Sequence, residues 1–95
     1  MKNNEYIVMT ALRAKWLDYQ PSTGWQRIYR AAALRIIDAV SKEYAAPGAT
    51  IARCIRTVGN MLADRAESAG RFCAAEAYNF ATGLLERDAD GETPA

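Results

Sequence analysis

The chain has 95 residues, a formal net charge of +1, 51% apolar residues and no histidine. This length suits one domain, and such a balance of apolar and charged residues is ordinary for a globular protein. Nineteen residues are alanine and only eighteen are valine, isoleucine, leucine or methionine, so the hydrophobic core is expected to be thin. The absence of histidine removes the commonest general base and the commonest metal ligand, which argues against most enzyme classes.

Apolar stretches and cysteines indicate the compartment. The apolar run at residues 6–9 is too short for the hydrophobic region of a secretion signal, and no stretch approaches the eighteen apolar residues that a membrane-spanning helix needs. Cys54 and Cys73 lack the spacing of a zinc site or of a disulfide-rich secreted domain. We therefore expect a cytoplasmic protein with two free, buried thiols, no metal and no membrane contact.

The first predicted helix covers residues 4–19. Asn3 or Asn4 can cap its start, and Pro21 disfavours helix at the residue before it. Its apolar residues recur at intervals of three and four, which indicates a single buried stripe. The members of that stripe are Val8, Met9, Leu12, Trp16 and Tyr19.

The second predicted helix covers residues 24–45 and starts after a capping box formed by Thr23 and Gln26. Its main apolar stripe contains Trp25, Tyr29, Ala32, Ile36 and Val40. A second seam on a neighbouring face contains Arg30, Leu34, Ile37, Ser41 and Tyr44. A helix that is apolar on two sides is either central in a bundle or shared between its own core and a partner, and the sequence leaves both alternatives open.

The rest of the chain is helical in pattern up to residue 87. Residues 46–48 break the second helix, and Thr50 can cap the next one. One straight helix over 50–87 would be about 57 Å long, against about 30 Å for a compact domain of this size, so a break is expected. Gly59 and Gly70 are the candidates, and we favour Gly70.

These patterns predict an all-α fold, a small bundle of three to four helices over approximately 4–19, 24–45, 50–68 and 70–87. A single domain would then cover residues 1–87, followed by a disordered acidic tail over 88–95. The apolar stripe of the last two helices contains Ile51, Ile55, Val58, Leu62, Ala66, Ala69, Cys73, Ala77, Phe80 and Leu84.

Candidate catalytic groups are few. A nucleophilic cysteine needs a neighbouring base, and the chain offers no histidine to either thiol. Asp64, Glu67 and Glu76 could pair as acid and base or hold Mg²⁺, but an exposed helical ion pair with Arg71 accounts for Glu67. The isolated glycines do not form a phosphate-binding loop. We therefore predict no enzymatic activity, no catalytic residue and no cofactor.

Charge is unevenly distributed along the chain. Residues 11–57 carry a local net charge of +5, and residues 64–95 carry one of −4. Such polarity can steer a charged partner or let two copies associate head to tail, although it is also compatible with ordinary solvated helix faces. We expect a homodimer or higher homo-oligomer that also binds another protein.

The main functional hypothesis is a non-enzymatic binding protein that acts stoichiometrically on another macromolecule. An apolar pair within a basic helix face is typical of a protein interface. Enrichment in alanine and arginine is typical of bacterial or phage genomes rich in G and C, which favours an adaptor or a phage-encoded inhibitor of a host or defence protein. The predicted partner-binding residues are Arg27, Arg30, Leu34, Ile37 and Ser41.

The alternative is a nucleic-acid or nucleotide-binding protein. Arginines interleaved with aromatic residues can bind phosphates while the rings stack on bases. Core packing is the competing explanation for the aromatic residues, since the chain has few large aliphatic ones. The residues of this alternative site are Arg13, Trp16, Trp25, Arg27 and Arg30.

Overall fold

Four helices account for most of the chain. A computed structural model describes residues 3–43 and 50–92, with no β-strand in these two ranges. The expected all-α bundle is therefore confirmed, with four helices rather than three. They are α1 (Asn3–Asp18), α2 (Gly24–Glu43), α3 (Ile51–Ser68) and α4 (Phe72–Glu92).

Short polar motifs determine where α2 and α3 begin. The Thr23 hydroxyl accepts a hydrogen bond from the Gln26 backbone N–H at 3.1 Å, and the Gln26 side chain accepts one from the Thr23 N–H at 3.3 Å. The Thr50 hydroxyl accepts a bond from the Arg53 N–H at 3.2 Å. Both predicted caps are confirmed, since each satisfies an amide that the first helical turn leaves free. The predicted break at 46–48 lies outside the described residues.

Gly70 separates α3 from α4, as expected. It has a φ of +75°, in the left-handed region that favours glycine. The Gly70 N–H donates to the Glu67 carbonyl at 2.9 Å, and the Arg71 N–H donates to the Ala66 carbonyl at 2.8 Å. This pair of bonds is a Schellman motif, which satisfies the last carbonyls of α3 and reverses the chain. The domain accordingly has a longest extent of 37 Å.

Two helices, α2 and α4, each pack against all three of the others, so α2 has a central position in the bundle together with α4. Ile36 and Ile37 are consecutive, so their side chains point about 100° apart around the helix, yet both are fully buried. The described apolar residues of the second seam are therefore covered by this chain's own helices, Ile37 fully and Leu34 in part, whereas Tyr44 lies outside the described residues. Of the two alternatives that the sequence left open, the structure supports the central position in the bundle.

A close helix contact joins α3 and α4 at Gly59. Gly59 lies in the middle of α3 and is buried against the side chain of Thr82. A Cβ atom on residue 59 would collide with the Thr82 hydroxyl, so glycine is required for this approach. Gly59 therefore does not break the helix as the alternative supposed, and α3 runs through it to Ser68.

The phase of α4 differs from the predicted stripe. Ala77 is buried as expected, but Cys73 and Phe80 are exposed. The turn at Gly70 rotates the start of α4, so the periodicity of α3 does not continue through it. The expectation that both cysteines are buried is thus wrong for Cys73. The buried residues of α4 are Ala75, Ala77, Tyr78, Ala81, Thr82, Leu85 and Ala89.

The expected disordered tail is not observed where the structure describes it. α4 continues to Glu92, five residues beyond its predicted end. Ala89 is buried in the core, and Asp88 accepts a hydrogen bond from the Lys15 ammonium group at 2.7 Å. These two contacts with the bundle hold the last turns in helical form, whereas residues 93–95 lie outside the described part. None of the four described helices is both long and apolar enough to cross a membrane.

The Gly59 contact predicts an unusual response to alanine. Gly59→Ala should lower the free energy of unfolding by about 1–2 kcal/mol, because overpacking outweighs the roughly 1 kcal/mol that alanine gains over glycine in a helix. Gly83→Ala is the matched control in α4, where nothing lies within 4 Å of the new methyl group. That control should raise stability, and urea denaturation followed by circular dichroism measures both. Stabilisation by Gly59→Ala would contradict the close contact.

An ion pair between α3 and α4 predicts a dependence on pH. Arg56 donates two hydrogen bonds of 2.9 Å to the Glu86 carboxylate, and these lower the pKa of Glu86 below its ordinary value of 4.5, although partial burial opposes them. A carboxyl whose pKa is lowered by folding stabilises the fold above its ordinary pKa and loses that effect as the pH falls through the lowered value.

Glu86→Gln should therefore be less stable than the parent at pH 7. The difference in stability between the two proteins should disappear as the pH is lowered below 4.5. Thermal unfolding at a series of pH values measures this difference. Asp90→Asn, which removes an exposed carboxylate of α4 that has no ion pair with a described residue, is the control and should change stability little at pH 7. If the stability difference between Glu86→Gln and the parent is the same at every pH, the carboxylate charge does not have this role.

Candidate functional site

The predicted partner-binding seam is largely inside the bundle. Ile37 is fully buried, and Leu34 is half-buried against the core, so the expectation of an exposed apolar pair is wrong. Coverage by the surrounding helices explains the difference, since α2 is central. Arg27 and Ser41 are exposed and remain accessible to a partner.

Arg30 supports the fold. Its Nε donates to the Trp16 carbonyl at 2.9 Å, and its Nη2 donates to the Leu17 carbonyl at 3.0 Å. These carbonyls belong to the last turn of α1, where no intrahelical donor is available to them and where the negative end of the helix dipole favours a cation. The guanidinium group therefore caps α1 and joins it to α2.

The alternative nucleic-acid set is not assembled on one surface. Arg13 pairs with Asp38 at 2.7 Å. Trp16 is buried against Tyr19 and Tyr29, and its indole N–H has no hydrogen-bond acceptor within the described chain. A buried ring offers no face for a base to stack on, so Trp16 cannot have the expected role. Arg13, Trp25 and Arg27 are exposed, but Arg13 is held by Asp38 and Arg30 is engaged by α1. Trp25 and Arg27 are the members of the set that are exposed and have no such contact with a described residue.

A groove between α2 and α4 is one of the concave surfaces that the described residues form. Its volume is about 410 Å³ and its floor consists mainly of alanines, because α2 and α4 face each other with small side chains. Exposed Ile28, at 43%, adds an apolar wall. The residues that line the groove are Arg27, Ile28, Ala31, Ala32, Arg35, Arg71, Ala74, Ala77 and Tyr78.

The charged side chains of the α2–α4 groove are all arginines. Arg27, Arg35 and Arg71 line it, no carboxylate does, and none of the three forms an ion pair with a described residue. Arg35 and Arg71 also line a smaller adjoining depression together with Arg65, which extends the basic surface onto α3. Arg71 precedes the first turn of α4, where the positive end of the helix dipole adds to the potential.

Aromatic rings lie beside the groove at the start of α2. Trp25 is 39% exposed and its ring lies 5.7 Å from that of Phe80, which in turn lies 4.9 Å from the ring of Tyr29. The hydroxyls of Tyr29 and Tyr19 are 2.8 Å apart, and this hydrogen bond, aided by burial, raises the pKa of Tyr29 above 10.0. The Tyr29 phenol is therefore neutral at physiological pH, and the rim is apolar.

Sequence reasoning identified Arg27 as a binding residue but none of the other eight residues that line the groove. Ile28 and Arg35, together with Ala31 between them, follow a spacing of three and four on one face of α2, a signal that was present in the sequence. Arg71 gave no such signal, since the α3–α4 turn brings it to α2. The ion pair expected between Glu67 and Arg71 is absent from the described contacts, because α3 ends between them.

The side chains that line the groove can form hydrogen bonds and apolar contacts. Its lining contains guanidinium groups, apolar side chains and one phenol, without a carboxylate or thiol to act as general base or nucleophile. Across the described residues, no three side chains of the cysteine, aspartate and glutamate type come together to hold a metal ion. Comparison with protein-family models, with curated proteins and with solved structures found no match for the chain.

The capping role of Arg30 predicts sensitivity to a change that keeps its charge. Arg30→Lys should lower the free energy of unfolding by about 1 kcal/mol, since an ammonium group cannot reproduce the planar fork that reaches both carbonyls. Arg27→Lys is the control, because the Arg27 guanidinium group forms no hydrogen bond with a described residue, and the backbone bond from its N–H to the Thr23 carbonyl is unaffected by the change. Chemical denaturation measures both variants. Equal stabilities would show that the two bonds do not contribute.

Proposed function

We propose that this protein is a non-enzymatic binding protein that acts stoichiometrically on another protein, and that the α2–α4 groove is its contact surface. The observation that carries the proposal is the groove itself, in which three unpaired arginines surround an apolar floor. A complementary partner would present apolar side chains flanked by carboxylates.

The composition of this surface supports a protein partner. Protein interfaces are enriched in arginine and aromatic residues and depleted in lysine and acidic residues, and the groove with its rim has this composition. Exposed Trp25, Ile28 and Phe80 lie on or beside it and can act as apolar anchors. The arginines would determine orientation and speed the encounter with an acidic partner.

An adaptor and an inhibitor of a host or defence protein would both use the groove in this way, whether encoded by a bacterium or by a phage. Each requires a partner to occupy it at a fixed molar ratio without a chemical step. The two cysteines form no disulfide, which is compatible with a reducing cytoplasm as the place of action.

Nucleic acid is the second candidate, and exposed Trp25 near Arg27 is the observation that favours it. A surface that binds the phosphate backbone of nucleic acid usually has a large excess of basic residues, and a chain with a net charge of +1 does not provide it. The protein partner is therefore preferred, and the experiment below separates the two classes.

The test is affinity capture from an extract of the organism that encodes the protein, with and without nuclease. The parent should retain a protein at a fixed molar ratio in both extracts. Arg27→Glu/Arg35→Glu should retain at least about tenfold less, because the reversed charges repel an acidic partner. Arg53→Glu/Arg87→Glu reverses two exposed arginines outside the groove and should retain as much as the parent.

Equal capture by the groove variant and the control variant would refute the groove as the contact surface. Capture that disappears after nuclease treatment, or that falls steeply with salt for purified nucleic acid, would instead establish the nucleic-acid alternative. Thermal unfolding of each variant verifies that the charge reversals leave the fold intact.

A further inference from the structure

A second surface of this chain has the opposite character to the groove. Phe72, the first residue of α4, is 67% exposed, more than any other large apolar side chain among the described residues. Two shallow depressions share Phe72 and Glu67 in their lining, and the charged residues around both are exclusively acidic. This acidic corner consists of Asp64, Glu67, Phe72 and Glu76.

The carboxylates of the acidic corner have no partner in the rest of the described molecule. The three ion pairs between helices use Asp38, Glu86 and Asp88. Asp64, Glu67 and Glu76 take part in none of them and do not converge into a group that could hold a metal ion. The corner therefore combines an exposed aromatic ring with three unpaired negative charges.

The acidic corner and the α2–α4 groove adjoin each other at the turn that Gly70 forms. Arg71 lines the groove, and its neighbour Phe72 belongs to the corner. A surface made of two adjacent, complementary patches is self-complementary under a two-fold rotation, because each patch then meets the other patch of the second copy. The groove offers an apolar floor and three positive charges, and the corner offers an apolar ring and three negative charges.

We propose that two copies of this chain form a two-fold dimer in which Phe72 of each copy packs into the α2–α4 groove of the other. The carboxylates of the corner then face the arginines of the groove. This inference rests on the proposed function, since it uses the groove as a binding surface. A net charge of only +1 means that overall repulsion opposes the association weakly.

Such a dimer regulates the groove. A groove filled by the acidic corner of a second copy cannot hold another protein, so self-association and partner binding compete. The free groove becomes available on dilution or when a partner binds more tightly than the corner does. In the dimer, the acidic corner of one copy therefore occupies the site that the partner protein would occupy on the other copy.

The first measurement is the mass of the purified full-length chain by sedimentation as a function of concentration. The mass of the parent should rise with concentration from 10.5 kDa to twice that value and no further, and added salt should weaken the association. Phe72→Ala should weaken it by at least about tenfold. Ile7→Ala removes an apolar side chain of similar exposure, 62%, from α1 and should leave the association unchanged.

Charge reversal tests the pairing of the two patches. Arg35→Glu alone and Glu67→Arg alone should each be monomeric, because each creates like charges across the interface. An equimolar mixture should regain a dimer, since the reversed residue of one chain then faces the reversed residue of the other and the second contact of the dimer remains native. Reversal of Glu86 is unsuitable as a comparison, because Glu86 pairs with Arg56.

Cys73 provides a readout at the interface itself. It is exposed and lines a depression of the acidic corner with Phe72, whereas Cys54 is buried. Alkylation of the parent should therefore become several times slower at concentrations where the mass has doubled, and Phe72→Ala should abolish this protection. Unchanged thiol reactivity in a dimeric parent would overturn the proposed interface.

A parent that stays monomeric up to about 1 mM, or whose mass grows beyond the dimer, would also overturn the inference. Failure here and failure of the proposed function are distinguishable, because the purified chain contains no other macromolecule. A monomeric parent that still captures a protein through the groove contradicts only the dimer. A dimer held by Phe72 and Arg35 in a chain that captures nothing else contradicts only the wider function.

Discussion

The bundle depends on how closely α3 can approach α4. Gly59 has no side chain, and Thr82 fills the space beside it while its hydroxyl donates to the Tyr78 carbonyl at 2.6 Å within its own helix. A buried hydroxyl would otherwise lack an acceptor at this contact, which is costly in an apolar interior. With so few large aliphatic residues, short distances between helices are what exclude water from the core. The contact between α3 and α4 is accordingly the most extensive of the fold.

The same shortage of large aliphatic side chains produces the groove. Alanines allow α2 to pack against α4, but where the two helix surfaces diverge they leave a shallow channel with no large side chain to fill it. Ala31 and Ala74 line this channel, and Arg27, Arg35 and Arg71 extend around it. The alanine-rich composition therefore explains both the close packing of the core and the concave surface outside it. A core of leucines would have spaced the helices further apart and filled the channel.

The parts of this fold that were predictable are those determined by nearby residues. Thr23, Gln26, Thr50 and Gly70 act through hydrogen bonds within a turn or through local backbone preference, and each has the expected role. The burial of Ile37 was not predictable in the same way, because the periodicity of α2 shows two apolar faces without showing what covers them.

The errors arose where distant contacts decide. The turn at Gly70 reset the phase of α4 and exposed Phe80, and docking of Ala89 and Asp88 onto the bundle prolonged a helix whose local sequence indicated disorder. In the candidate site, too, some residues were predictable from the local sequence and others were not. Arg27 was identified on α2, whereas Arg71 joins it only because the chain reverses between α3 and α4.

Six of the nine arginines of this chain form two groups with different energetic consequences. Arg13, Arg30 and Arg56 each find an oxygen partner on another helix, so their charge is neutralised or hydrogen-bonded within the fold. Those of the groove have no such partner among the described residues, so solvent, salt or an acidic surface would relieve their mutual repulsion. Binding of such a surface removes that repulsion and adds to the stability of the folded state by mass action. In the proposed function, the feature that makes the groove slightly unfavourable in the isolated chain is what would give it selectivity for a negatively charged occupant.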